Sequence, residues 1–135
     1  MDRVFLDANV LYSAAYLERS GLARLRTLDD VELVTSAYAI EEARRNLAMD
    51  RPDALARLKR FTKAIVTGDA PQGLKLPDGV QLDPKDQPIL LAARHSHADY
   101  LLTGDARHFA HLYGKRIAGV LVLRPAQYFA RRRHA

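Results

Sequence analysis

Short, mainly apolar runs alternate with helix-like segments along this chain, and each run stops on a polar residue. Val4-Phe5-Leu6 stops at Asp7. Glu32-Leu33-Val34-Thr35 stops at Ser36, Tyr100-Leu101-Leu102-Thr103 at Gly104-Asp105, and Val120-Leu121-Val122-Leu123 at Arg124. Runs this brief and this apolar suit strands buried on both faces, as in parallel sheets covered by helices. Parallel neighbours need long crossovers, and the segments between the runs have helical length. The pattern therefore predicts an α/β fold: three layers, α/β/α, around a central parallel sheet, in one domain spanning residues 1–135. A chain of 135 residues is long enough to bury a substantial core.

The punctuation between runs is specific. Residues 10–17 read as a helix after Asp7-Ala8-Asn9. Ser20 caps a second helix over 21–28, and Asp29-Asp30 makes a turn. Ser36 is a good N-cap for a helix over 37–49, and Pro52 sits in the first turn of another reaching about residue 65. Glycines and prolines crowd 67–79, a loop, with a short strand expected over 80–82. Asp86-Gln87-Pro88 opens a helix that is apolar on nearly all sides. A shorter helix over 106–113 ends at Gly114, and Pro125 begins a last helix running into Arg131-Arg132-Arg133.

Composition narrows the chemistry. With no cysteine, disulfides, thiolate zinc sites and cysteine nucleophiles are excluded. The formal charge of +5 suits a polyanionic partner, although it also suits an ordinary soluble surface. The N-terminus enters a strand at once, without an apolar signal region, and no apolar run approaches the length of a membrane span. A cytoplasmic protein with no membrane partner is expected.

Four acids stand out by position: Asp7 and Asp105 after strands, Asp86 before a helix, and Glu42 inside one. A parallel sheet gathers its strand C-termini on one edge, where ligands bind. Carboxylates brought together there repel one another and call for a cation. Each aspartate also has a plain structural reading as a helix N-cap. Glu42 cannot be a cap. It falls beside the apolar stripe of Ile40, Ala43 and Leu47, whereas Glu41 faces Arg45 four residues on, as a solvated pair would. The histidines show no zinc spacing, and His108 and His111 read as partly packed surface. Tyr12 and Tyr16 read as packing or interface residues. The three terminal arginines read as a solvated tail, the competing use being a grip on phosphates.

These pieces, in order, resemble PIN-domain nucleases, the group that includes the toxin ribonucleases of toxin–antitoxin pairs. The matching segments are Val4-Phe5-Leu6-Asp7-Ala8-Asn9-Val10-Leu11 and Thr35-Ser36 with Glu42 six residues on. Asp83-Pro84-Lys85-Asp86 leading into Pro88-Ile89-Leu90-Leu91-Ala92-Ala93, then Ala98-Asp99-Tyr100-Leu101-Leu102-Thr103-Gly104-Asp105, then His108-Phe109 and the closing Gly119-Val120-Leu121-Val122-Leu123-Arg124-Pro125 complete them. The resemblance implies a PIN-like fold and a Mg²⁺- or Mn²⁺-dependent ribonuclease. Its catalytic and metal-binding quartet would be Asp7, Glu42, Asp86 and Asp105, supported by Asn9, Ser36 and Thr103. It also implies an RNA substrate, an antitoxin partner and a homodimer. Ala106-Arg107-His108 stands where some relatives carry a further acid, which bears on the number of metal ions. A haloacid-dehalogenase-type enzyme would need an acid where Asn9 stands, and a receiver domain would need paired acids after the first strand. The remaining alternative is a PIN-like module that binds RNA or protein without cleavage.

Overall fold

A computed structural model of the chain describes residues 1–133. Among these residues six strands form one sheet. They are β1 (Asp2–Leu6), β2 (Val31–Thr35), β3 (Val66–Thr67), β4 (Tyr100–Leu102), β5 (Arg116–Ile117) and β6 (Val120–Leu123). Their order is β3-β2-β1-β4-β6-β5, and every pair is parallel except β5 with β6. Helices α1 (Ala8–Tyr16), α2 (Ala37–Asp50), α3 (Leu55–Thr62), α4 (Gln87–His95), α5 (Ala106–Phe109) and α6 (Pro125–Arg133) cover the sheet. The expected three-layer α/β/α arrangement is what forms, as a mixed sheet of mostly parallel strands.

The apolar runs behave as their composition demands. Val4, Phe5 and Leu6 in β1, Leu101 and Leu102 in β4, and Val122 in β6 are completely buried. β1 lies between β2 and β4, so the chain builds outward to one side of it and then returns to the other. That reversal opens a crevice beyond the strand C-termini, where such sheets bind ligands. Two bonds close the strand ends together there. The Asp7 amide donates to the Leu102 carbonyl (3.0 Å), and the Thr35 hydroxyl donates to the Leu6 carbonyl (2.8 Å).

Several elements differ from the sequence reading. Residues Gly21–Thr27 form a 3₁₀ helix, not an α-helix. Leu22, Leu25 and Leu28 explain it: a spacing of three stacks them on one face only at three residues per turn, and all three join the core. No strand forms over 80–82. Instead the two-residue β3 adds to the sheet edge, and the helix expected over 106–113 splits into α5 and a 3₁₀ turn, Ala110–Leu112. The terminal arginines are not a free tail. The last helix continues through Arg133, with Arg132 paired to Asp2 and Asp30 and lying over the Tyr128 ring. The Tyr128 hydroxyl also donates to Asp2 (2.8 Å). These contacts lie where β1 begins, at the sheet edge opposite the strand C-termini, so Arg132 is not a phosphate grip at the acids.

The antiparallel hairpin β5–β6 was also unforeseen. Its two-residue turn is Ala118-Gly119, both with positive φ (50° and 89°), the hairpin geometry that matches strand twist. A glycine accepts that conformation freely, but an alanine is strained by it. Ala118→Gly is therefore expected to raise stability by about 0.5–1 kcal/mol in urea unfolding, although it loosens the unfolded chain.

Candidate active site

The crevice is built by four loops. Asp7 leaves β1 directly, and its carboxylate caps α1 through the Ala8 amide (2.6 Å). Ser36 leaves β2 and caps α2 through the Ala39 amide (3.1 Å). A second acid, Asp69, caps the same helix by accepting from the Ala37 and Tyr38 amides (2.8 and 3.1 Å). Two caps fix the start of α2, and with it Glu42 a turn and a half further on.

Asn9 ties the loops after β1 and β4 together. Its amide nitrogen donates to Asp7 Oδ2 (3.1 Å) and to the Thr103 hydroxyl (3.2 Å), and its oxygen accepts from the Gly104 amide (2.7 Å). A Cβ at Gly104 would sit 3.3 Å from Asn9 Oδ1, so a larger residue there would press on the Asn9 amide. The Thr103 hydroxyl also accepts from the Asp105 amide (3.1 Å), which sets the direction in which Asp105 leaves the sheet. Asn9 and Thr103 thus position the acids. Ser36 acts at the helix start, away from the carboxylates.

Asp7, Glu42, Asp86 and Asp105 line one open cavity of about 370 Å³. The capping explanation survives for Asp7 alone, because neither the Asp86 nor the Asp105 side chain caps its helix. Asp86 is 8% exposed, and its Oδ2 atom is buried with no hydrogen-bond partner among the described residues. Glu42 lies on the half-buried rim, close enough for its charge to be felt by Asp7 and Tyr38. Such a donor set, all oxygen and partly unsatisfied, fits a hard divalent cation.

Burial sets the electrostatics. Asp7 is 4% exposed, and its pKa is pushed up to about 6, first by desolvation. The Thr103 hydroxyl and the Ala8 amide oppose the shift, while the charges of Glu42 and Asp86 add to it. Asp86 is also raised by burial, with His108 and Lys85 opposing and Asp105 and Asp83 reinforcing.

The sequence reading missed five residues of this region. Tyr12 stands on the cavity wall with Asn46 and Asp50, and its hydroxyl donates to Asp50 (2.8 Å), which holds the phenol's pKa up at about 12. His108 is not merely packed surface. Its Nδ1 lies 3.0 Å from both Asp86 Oδ2 and Asp105 Oδ2, and its Nε2 lies 3.3 Å from Asp83. The available signal was its spacing, three residues after Asp105 on one helical turn.

The domain model of the PIN family matches residues 3–107. The chain belongs to the PIN-domain family. Solved structures place the fold in the same group. VapBC2 of Rickettsia felis, bound to a DNA fragment from its promoter, aligns with a TM-score of 0.61 at 13% identity, covering 90% of this chain and 98% of that one. VapBC-1 of nontypeable Haemophilus influenzae aligns at 0.56 and 14%, covering 90% and 97%. FitAcB of Neisseria gonorrhoeae aligns at 0.54 and 22%, covering 91% and 98%. No curated protein matches the chain significantly. The strands and helix from Arg116 to Arg133 lie beyond the matched span yet complete the same sheet and its covering layer in this PIN domain.

The raised Asp7 pKa makes stability depend on pH. Between the ordinary value of 3.8 and about 6 the folded state binds more protons than the unfolded one. The protein should therefore lose stability as pH rises across that window and change little above it. The loss amounts to about 3 kcal/mol for two pKa units. Asp7→Asn should abolish this step and melt at a higher temperature than wild type at pH 7 in EDTA. Thermal melts of both proteins from pH 4 to 8 check it.

Proposed function

We propose that this PIN domain is a divalent-metal-dependent endoribonuclease, the toxin of a toxin–antitoxin pair. The observation that carries the reading is the convergence of Asp7, Glu42, Asp86 and Asp105 on one cavity, with Asp86 Oδ2 buried and without a hydrogen bond among the described residues. Such crowding destabilises a protein near neutral pH unless a cation relieves it. Asp7, Asp86 and Asp105 would hold Mg²⁺ or Mn²⁺, with Glu42 on the rim to orient an attacking water. The bound ion would supply charge for the scissile phosphate and acidify that water. Asn9 and Thr103 keep Asp7 and Asp105 in register through the bonds described above, and Ser36 keeps α2 and Glu42 in place.

The openness of the cleft suits a polymer rather than a small metabolite. A neighbouring groove is lined by Gln81, Leu82, Asp83, Arg107, His108 and His111; its His108 reaches Asp86 and Asp105 of the acid site, and its Arg107 offers a contact to an RNA phosphate. An antitoxin would act by filling the cleft and presenting a cation to the acids, and a homodimer belongs to the same reading. Among the described residues no helix is long and apolar enough to cross a membrane, and a cytoplasmic site of action fits an RNA target. A module that binds RNA without cutting it is the competing reading, and metal separates the two.

Cleavage of defined RNAs should require Mg²⁺ or Mn²⁺ and stop in EDTA. Asp7→Asn and Asp105→Asn should each lower the rate by at least about a hundredfold, the loss expected when charge stabilisation of the transition state is removed. Millimolar Mn²⁺ should raise the melting temperature of wild type, and Asp7→Asn should respond much less. Undiminished cleavage in EDTA, or no metal-dependent shift in melting, would sink the nuclease reading.

A further inference from the structure

We infer that His108 is itself a metal ligand, held in place by Asp83, and that it biases the site toward a first-row transition ion such as Mn²⁺ over Mg²⁺. The inference rests on the metal-dependent reading above and assigns a donor that the four acids do not include.

Three observations carry it. The first is spacing. His108 Nδ1 is 3.0 Å from Asp86 Oδ2 and 3.0 Å from Asp105 Oδ2. Neighbouring donors on an octahedral ion with bonds of about 2.1 Å sit about 3 Å apart, so each of these nitrogen–oxygen pairs has the spacing of two donors on one ion.

The second is direction. Both His108 Nδ1 and Asp86 Oδ2 are buried, and among the described residues neither has a hydrogen-bond partner, although they are 3.0 Å apart. The ring nitrogen is thus not aimed along the line to the carboxylate oxygen. A nitrogen donating a proton would aim along it. A nitrogen sharing an ion with an oxygen at that distance points about 45° away from it, toward the ion.

The third is the far side of the ring. Nε2 lies 3.3 Å from Asp83 Oδ2, on the loop that leads into α4. A carboxylate facing the second ring nitrogen of a metal-bound histidine holds the proton there, leaves the first nitrogen with a free lone pair, and raises its basicity. Ligand atoms of Asp83, Asp86 and His108 all fall within 4.8 Å of one another. Asp83 is largely exposed, which suits a positioning residue better than a ligand.

An imidazole donor has a chemical consequence. Mg²⁺ keeps to oxygen ligands and gives up water reluctantly, whereas transition ions accept nitrogen readily. Of the two ions the fold admits, Mn²⁺ is therefore the one His108 favours.

The test uses the full chain with Mn²⁺ or Mg²⁺ alone. Pulsed EPR of the Mn²⁺-loaded protein should show ¹⁴N modulation from a directly bound imidazole, and His108→Gln should abolish it. By calorimetry His108→Gln should weaken Mn²⁺ binding at least tenfold and Mg²⁺ binding less than threefold, collapsing the preference. Asp83→Asn should weaken Mn²⁺ binding about tenfold while leaving the ¹⁴N signal, as loss of an outer partner does. Melting curves in EDTA establish that both variants fold. Mn²⁺ binding without nitrogen coupling overturns the inference and leaves the four-acid reading intact. So does His108→Gln binding both ions as well as wild type or better, since His108 would then be only a counter-charge. If wild type binds neither ion, or if Asp7→Asn and Asp105→Asn bind Mn²⁺ as wild type does, the metal reading itself falls and the inference with it.

Discussion

The structure turns on a carboxylate placed where burial resists its charge. Asp7 follows three residues with no exposure at all and is itself nearly enclosed, next to the charges of Glu42 and Asp86. A fold governed by stability alone would put a neutral side chain there. The sheet instead delivers acids to one edge from β1, β4 and the loop before α4, and a helix delivers another from the rim. Each is tolerable singly, but together their burial and like charges work against the folded state, a pattern that clusters at functional sites.

Holding such a site together takes neutral hydrogen bonds. Asn9 fills this role with one side chain: it touches Asp7, Thr103 and the Gly104 backbone, so it bridges loops almost a hundred residues apart in sequence. An acid in its place would add a further charge to the group and lose the two donated bonds. The amide lets the loop after β1 and the loop after β4 move as one, and the geometry between Asp7 and Asp105 follows from it.

Much of this was legible in the sequence because apolar runs that end on polar residues report strand and strand end together. The central strands followed from that signal, and so did the placing of Asp7 and Asp105 at strand ends; Asp86 and Glu42 joined them only through the family resemblance, because a glutamate inside a helix carries no strand-end signal. What escaped had weak local signals. The two-residue edge strands, Val66–Thr67 and Arg116–Ile117, are too short to show a period. The 3₁₀ helix needed a spacing of three to be preferred over one of three and a half. His108 looked like surface because its partners, Asp83 and Asp86, lie more than twenty residues away in sequence. The arginine run misled for the opposite reason: its charge was plain, but Asp2 and Asp30, which pair with Arg132, are at the other end of the chain.

That last contact joins the beginning of β1 to the end of α6. Loosening of the final helix would uncover Asp2 and unsettle the first residue of the central strand, so the two ends of the described chain share one cooperative unit. The clasp lies roughly 17 Å from the acids, the length of a five-residue strand. A fluorescent label or surface tether attached beside it would leave the cleft clear. Substitutions that weaken the clasp would reach the cleft only through β1 itself.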